Sequence, residues 1–194
     1  MDAVDCIYGR RAIRRYTHAA PPREEIQALI AAAVQAPNGM NRQPWAFAVI
    51  EGRATLVDHS ARAKSHLVRE GASFAGHRDT LLDPDLNIFY EAPVLVAVCA
   101  TDPDPMSIKD CCLAAENLML AAHDRQLGTC WIGLAEPWLN TADGKRSLDA
   151  PDTWTVVAPI ILGYPAETPR RTHRNAPDIR WVAEAVPAGY RPPA

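Results

Sequence analysis

The chain has 194 residues and a mass of 21.2 kDa, is 48% hydrophobic and 22% charged, and carries a formal charge of −3. That balance fits one globular domain with enough core to fold without a structural metal, and five cysteines with no C-x-x-C give no disulfide framework or zinc knuckle. A reducing, cytoplasmic compartment is expected; no leader or bilayer-length apolar run argues for secretion or a membrane, and the acidic net charge argues against nucleic acid.

After a short N-terminal segment (2–8), Pro22 opens a helix whose apolar residues Ile26, Leu29, Ile30, Ala33 and Val34 fall on one face, and Pro37 and Gly39 end it. Residues 45–50 read as a strand, 53–68 as a weaker helix and 71–87 as an irregular, mobile loop. A second strand, 94–100, follows Pro93. Next comes the strongest helix, with Ile108, Cys111, Cys112, Ala115, Leu118, Met119 and Ala122 in a stripe at 3-4 spacing and Gly128 as its stop. Residues 129–133 and 154–162 complete the strands, with an amphipathic stretch, 137–148, between them. The tail from Pro169 is proline-rich, carries Trp181 and Tyr190, and is expected to be extended and packed on something. Alternating helices and strands without repeats or linkers indicate a single α/β or α+β unit.

The chain has no G-x-G-x-x-G turn; the Gly71–Gly76 and Gly128–Gly133 spacings lack the P-loop lysine; and H-E-x-x-H and G-x-S-x-G are missing. No metal site is expected, nor a side-chain nucleophile. His123 reads as a surface or satisfied polar residue and Cys130 as a small buried hydrophobe.

Of the 20 basic residues 17 are arginine, crowded at both ends: Arg10, Arg11, Arg14, Arg15 and Arg23 early, Arg170, Arg171, Arg174, Arg180 and Arg191 late. Arginine is the bidentate choice for phosphate, so converging ends would make an anion site for a phosphate-bearing small molecule. Four segments carry the chemistry. Gly9-Arg10-Arg11-Ala12-Ile13-Arg14-Arg15-Tyr16 reads alone as either a solvated basic loop or half of that anion site. Pro37-Asn38-Gly39-Met40-Asn41-Arg42-Gln43-Pro44-Trp45 offers amides before a strand, as capping groups or as a platform for a heterocycle. Gly128-Thr129-Cys130-Trp131-Ile132-Gly133 is a turn and strand whose Gly133 permits close approach of a ring or simply a tight turn. Gly163-Tyr164-Pro165 precedes the second arginine group.

In this order the segments resemble the FMN-dependent nitroreductase family, whose motifs are R-R-S-x-R, A-P-S-x-x-N-x-Q-P-W, G-L-G-T-C-W-I-G and G-Y-P before a basic tail. The similarity runs from about Val4 to Trp181. Ala12 and Asn38 depart from it, each standing where the family usually has serine; the first removes a phosphate donor worth about 1 kcal/mol.

The resemblance implies an α+β, three-layer fold, a central mixed but mostly antiparallel sheet flanked by helices, working as an intertwined homodimer with FMN at the interface. Residues 1–176 would form the FMN-binding domain and 177–194 an extended tail docking on the partner subunit. Arg10, with Arg11 and Ala12 beside it, and either Arg171 or Arg174 would hold the phosphate, and Arg14 would sit near the ribityl chain and the flavin N1/O2 edge. Pro37, Asn38 and Gly39 would come from the other subunit, supported by Asn41 and Gln43. Ile132 and Gly133 would present backbone N–H groups to N5 and O4, and the 65–87 loop and Trp138 would border the pocket mouth. The implied activity is NAD(P)H-dependent, ping-pong hydride transfer through flavin N5 to nitroaromatics, quinones or similar acceptors. The alternatives are a specialised relative (reductive dehalogenase, enal reductase or flavin-degrading enzyme) and a non-catalytic flavin binder.

Overall fold

The computed structural model describes residues 1–71, 81–169 and 172–182. Helix α1 (Ala3–Gly9) is capped by Asp2, whose carboxylate accepts the Asp5 N–H, and α2 (Arg23–Ala33) follows Pro22. Strand β1 (Trp45–Glu51), helix α3 (Arg53–Arg69) and strand β2 (Val94–Ala100) lie close to the spans their apolar patterns predict. The long helix α4 (Pro105–Asp124) starts earlier than its apolar stripe because Asp104 caps it and Pro105 fits its first turn. Strand β3 (Gly128–Trp131), short helices α5 (Glu136–Leu139) and α6 (Ala142–Ser147), and strand β4 (Thr155–Gly163) complete the order.

The strands form one sheet in the order β1-β2-β4-β3, each neighbouring pair antiparallel. Outside them, an isolated bridge pairs Ala12 in parallel with Thr129, and Tyr16 pairs antiparallel with Pro165. β2 is wholly buried, and its alternation divides the core. Leu95, Ala97 and Cys99 face a cluster with Leu56, Phe89, Trp138, Leu139, Ile13 and Tyr16, whereas Val94, Val96 and Val98 face Leu29, Cys111, Leu118 and Ala122. The sheet is therefore the middle of three layers, with α2 and α4 on one face and α3 and α5 on the other.

The N-terminal segment, given no element by its sequence, is helical over Ala3–Gly9, and two local readings are corrected. Gly128 does not stop α4; Gln126 takes the left-handed conformation (φ 60°) after the helix ends, and Gly128 belongs to β3. There a Cβ would lie 2.8 Å from Ile13, so the glycine is required by packing. Gly133 is not in a strand but opens a 3-10 turn, Gly133–Ala135. The expected 71–87 loop falls largely on residues outside the described ones. Of the tail, 172–182 has no regular secondary structure, and Trp181 is 90% exposed.

Candidate functional site

The first arginine segment and the segment after β4 meet beside β3. The Ala12–Thr129 bridge and the Ile13 N–H to Thr129 O bond (2.9 Å) lay the first arginine segment along the sheet edge. Thr17 N–H then donates to Tyr164 O and Ala166 N–H to Arg15 O, both at 2.9 Å, drawing the segment after β4 against it. Ile13 and Tyr16 anchor the assembly in the core, the Tyr16 hydroxyl donating to Ile13 O at 2.7 Å. Burial pushes the Tyr16 phenol well above its ordinary range, so it stays a neutral donor.

A cavity of about 570 Å³ opens between the ends, walled by Arg10, Arg11, Ala12, Arg14, Glu167, Thr168 and Arg174 among others. Arg10, Arg11, Ala12, Arg14 and Arg174 are thus brought together; Arg171 lies outside the described residues. Arg10 Nε forms an ion pair with Glu116 Oε1 at 3.3 Å, and Arg11 donates from Nη1 to Tyr8 O and Arg10 O at 2.9 and 2.6 Å, while its buried Nε has no hydrogen-bond acceptor. A smaller cavity of about 260 Å³ shares Arg10, Arg11 and Glu167 and reaches His123. His123 is half-buried rather than a surface residue; it packs on Gly9, where a Cβ would be 2.7 Å from Nε2. Burial first, then Arg10 and Arg11, hold its pKa below the ordinary histidine value.

On the other side of Arg14 a cavity of about 530 Å³ is lined by Arg15, Asp83, Asp85, Asn87, Tyr90 and Glu91, and the Arg14 guanidinium lies 5.7 Å from the Tyr90 ring centre. Sequence reasoning reached this wall only as part of a vague loop. It also missed Glu167, whose Oε1 accepts the Arg14 N–H at 3.2 Å. A Gly-Tyr-Pro turn followed two residues later by an acid, opposite an arginine segment, was the available signal.

The amide platform lies elsewhere. The loop before β1 is held by Asp110, a buried carboxylate that accepts the Gly39 N–H at 3.2 Å, and by Asn38 Oδ1, which accepts the Gln43 N–H at 2.9 Å. Arg42 ties it to Asp102 and Asp104 at the start of α4. Met40, Asn41 and Gln43 adopt φ of 51–53°, and Met40 is 90% exposed. Pro37, Asn38, Gly39, Asn41 and Gln43 line none of the arginine cavities.

Two site expectations change. The Ile132 N–H donates to Pro159 O at 2.8 Å, extending the β3–β4 pairing, so it is spent inside the protein. Gly133, first in its turn, keeps an N–H without an intrahelical acceptor, and a Cβ there would meet nothing within 4 Å. Trp138 does not border a pocket mouth; it is 4% exposed and packs edge-on against His59 with ring centres 5.2 Å apart. Cys130 is buried, and burial pushes its thiol pKa up while Arg14 and Arg10 pull it down.

Comparison with known proteins matches residues 7–164 to the model of the nitroreductase family. A protein of Methanothermobacter thermautotrophicus, provisionally assigned as an NADH dehydrogenase/NAD(P)H nitroreductase, is 29% identical over 183 residues, covering 92% of this chain and 85% of its own. An iodotyrosine deiodinase of Thermotoga neapolitana is 26% identical over 180 residues, with 89% and 93% covered. The crystal structure of a Bacteroides fragilis nitroreductase with bound FMN superposes with a TM-score of 0.81 at 24% identity, covering 94% of this chain and all of that one.

Proposed function

The chain belongs to the nitroreductase family, and we propose that within it this protein is an FMN-dependent NAD(P)H oxidoreductase reducing nitroaromatics, quinones or similar small electron acceptors. The observation that carries the reading is the cavity where Arg10, Arg11, Arg14 and Arg174 meet. The donor set fits the group: guanidinium forks match a phosphate, and a Cβ on Gly133 would meet nothing, which leaves room for a ring. When bound, FMN supplies hydride acceptance and donation at N5.

The chain's own residues bind and orient. Arg10, Arg11 and Arg174 take the phosphate; Arg14 puts a fixed positive charge on the cavity wall, which stabilises negative charge gained on reduction. Ala12 contributes its backbone only. Asn38 and Gly39, with Asn41 and Gln43 behind them, serve the flavin of a second copy. Exposed apolar residues support the homodimer: Val4, Ile7 and Tyr8 on α1, Met106, Ile108 and Leu113 on α4, and Trp181 and Val182 in the tail. The segment 177–194 docks on the partner in this reading. All five cysteines are free thiols, in keeping with a cytoplasmic protein.

A second reading, a specialised member acting on a polar substrate, is favoured by the adjoining cavity, which carries charges of both signs from Arg14, Arg15, Asp83, Asp85 and Glu91. The absorption spectrum of the purified protein tests both: bound FMN is expected, and a colourless preparation that takes up none overturns them. NAD(P)H oxidation with excess nitrofurazone or menadione then separates the readings. Rapid turnover supports the first, negligible turnover of a flavin-loaded protein favours the second, and unchanged NAD(P)H with every acceptor leaves a flavin binder.

A further inference from the structure

Glu167 is the exception in its cavity. Among the described residues every other charged side chain on that wall is a guanidinium, which only donates hydrogen bonds, whereas a carboxylate only accepts them. Its position is built rather than accidental. The paired segments 15–17 and 164–166 bring it to Arg14, and it takes that residue's backbone N–H, not a guanidinium, at 3.2 Å. One oxygen is thereby partly used, and the other accepts no hydrogen bond among the described residues. In a cavity meant for a bare anion this carboxylate would be a liability, since it repels any phosphate the arginines attract. It becomes useful when the ligand carries donors next to its phosphate.

We propose that Glu167 reads the hydroxyl groups of a phosphorylated polyol, accepting hydrogen bonds from the ribityl chain while the arginines hold the phosphate end. The inference rests on the FMN reading and adds to it a binding residue of opposite charge. Hydrogen bonds from hydroxyl to carboxylate are charge-assisted and stronger than neutral ones. The carboxylate thus turns a general anion site into one selective for sugar-alcohol phosphates.

The test titrates the full-length protein, freed of flavin, with FMN, riboflavin, lumiflavin (which has no ribityl chain) and inorganic phosphate. In Glu167→Ala, riboflavin and FMN are expected to bind about tenfold more weakly, lumiflavin unchanged and inorganic phosphate more tightly. Glu167→Gln keeps an oxygen for the Arg14 N–H; it should show a smaller loss for riboflavin and the same gain for phosphate. That guards against a variant that merely misfolds. Unchanged riboflavin and FMN affinity in Glu167→Ala, or an equal loss for lumiflavin, would overturn the proposal and leave Glu167 a cap on Arg14. A wild-type protein that binds phosphate but no flavin would instead sink the FMN reading on which it rests.

Discussion

The arginine cavity and the Asn38–Gln43 loop are both finished pieces of structure, yet they stand at opposite corners of one sheet. The loop enters β1 at Trp45, level with Ala100 of β2 and Thr155 of β4. The cavity lies beyond β3, where Thr129 pairs with Leu162 at the far end of β4. Three strand spacings and six residues of strand separate them, a diagonal of roughly 25 Å. Helix α4 spans the same gap: Asp110 near one end bonds Gly39, His123 near the other packs on Gly9, and thirteen residues of helix measure about 20 Å. A ligand seated on the arginines therefore cannot reach its own chain's loop without crossing the sheet. The cavity gathers guanidinium groups, while the loop has its Gly39 and Gln43 backbone N–H groups bonded to Asp110 and Asn38 and leaves Met40 exposed. In the proposed homodimer the two regions would be complementary halves of different sites, which two copies combine.

Removing residues after Ala176 should break that combination most severely: sedimentation is expected to show loss of the dimer, and an unchanged dimer would contradict the docking of the tail. Next in size, Arg10→Ala should lower FMN affinity about 10- to 100-fold by removing charge-assisted bonds, read as flavin lost on desalting. Asp110→Ala is its counterpart at the other corner. It leaves the Gly39 N–H unsatisfied at a cost of about 1–3 kcal/mol, slows flavin turnover, and leaves inorganic phosphate binding as in the wild type. A parallel loss of phosphate binding would show that the two corners are not independent. Gly128→Ala pushes a methyl group into Ile13 and should cost about 1–3 kcal/mol, seen as a lowered Tm.

The smallest effect concerns pH. The folded-state pKa of His123 is depressed, so between that value and its ordinary one the unfolded chain binds the extra proton. Stability should slip as pH falls below about 6.5, and His123→Gln should flatten that part of the profile. An identical slope in the variant would show that His123 does not titrate there.

Much of this architecture was legible in the residues. The run from Val94 to Ala100 is apolar at every position because both faces of β2 are covered, and α4 declares itself by a stripe with no polar interruption. Arginines crowded near both termini fitted either a solvated basic loop or one wall of an anion site, and the fold brings Arg10, Arg11, Arg14 and Arg174 to one cavity. Backbone bookkeeping was not legible: an apolar Ile132 says nothing about whether its N–H pairs with Pro159 or faces a cavity. Gly128 looked like a helix stop because its real constraint, the Ile13 side chain, lies far away in sequence. Glu167 was overlooked because charge counting looks for like with like, and a lone acid among cations gives no pattern.

The bond between Arg14 and Glu167 joins residues 153 apart in the chain. During synthesis at about 5–20 residues per second, the first arginines wait roughly 8 to 30 s before their counterpart exists. A fragment that stops before residue 164 would carry the basic segment without the Thr17–Tyr164, Ala166–Arg15 and Arg14–Glu167 bonds that close over it.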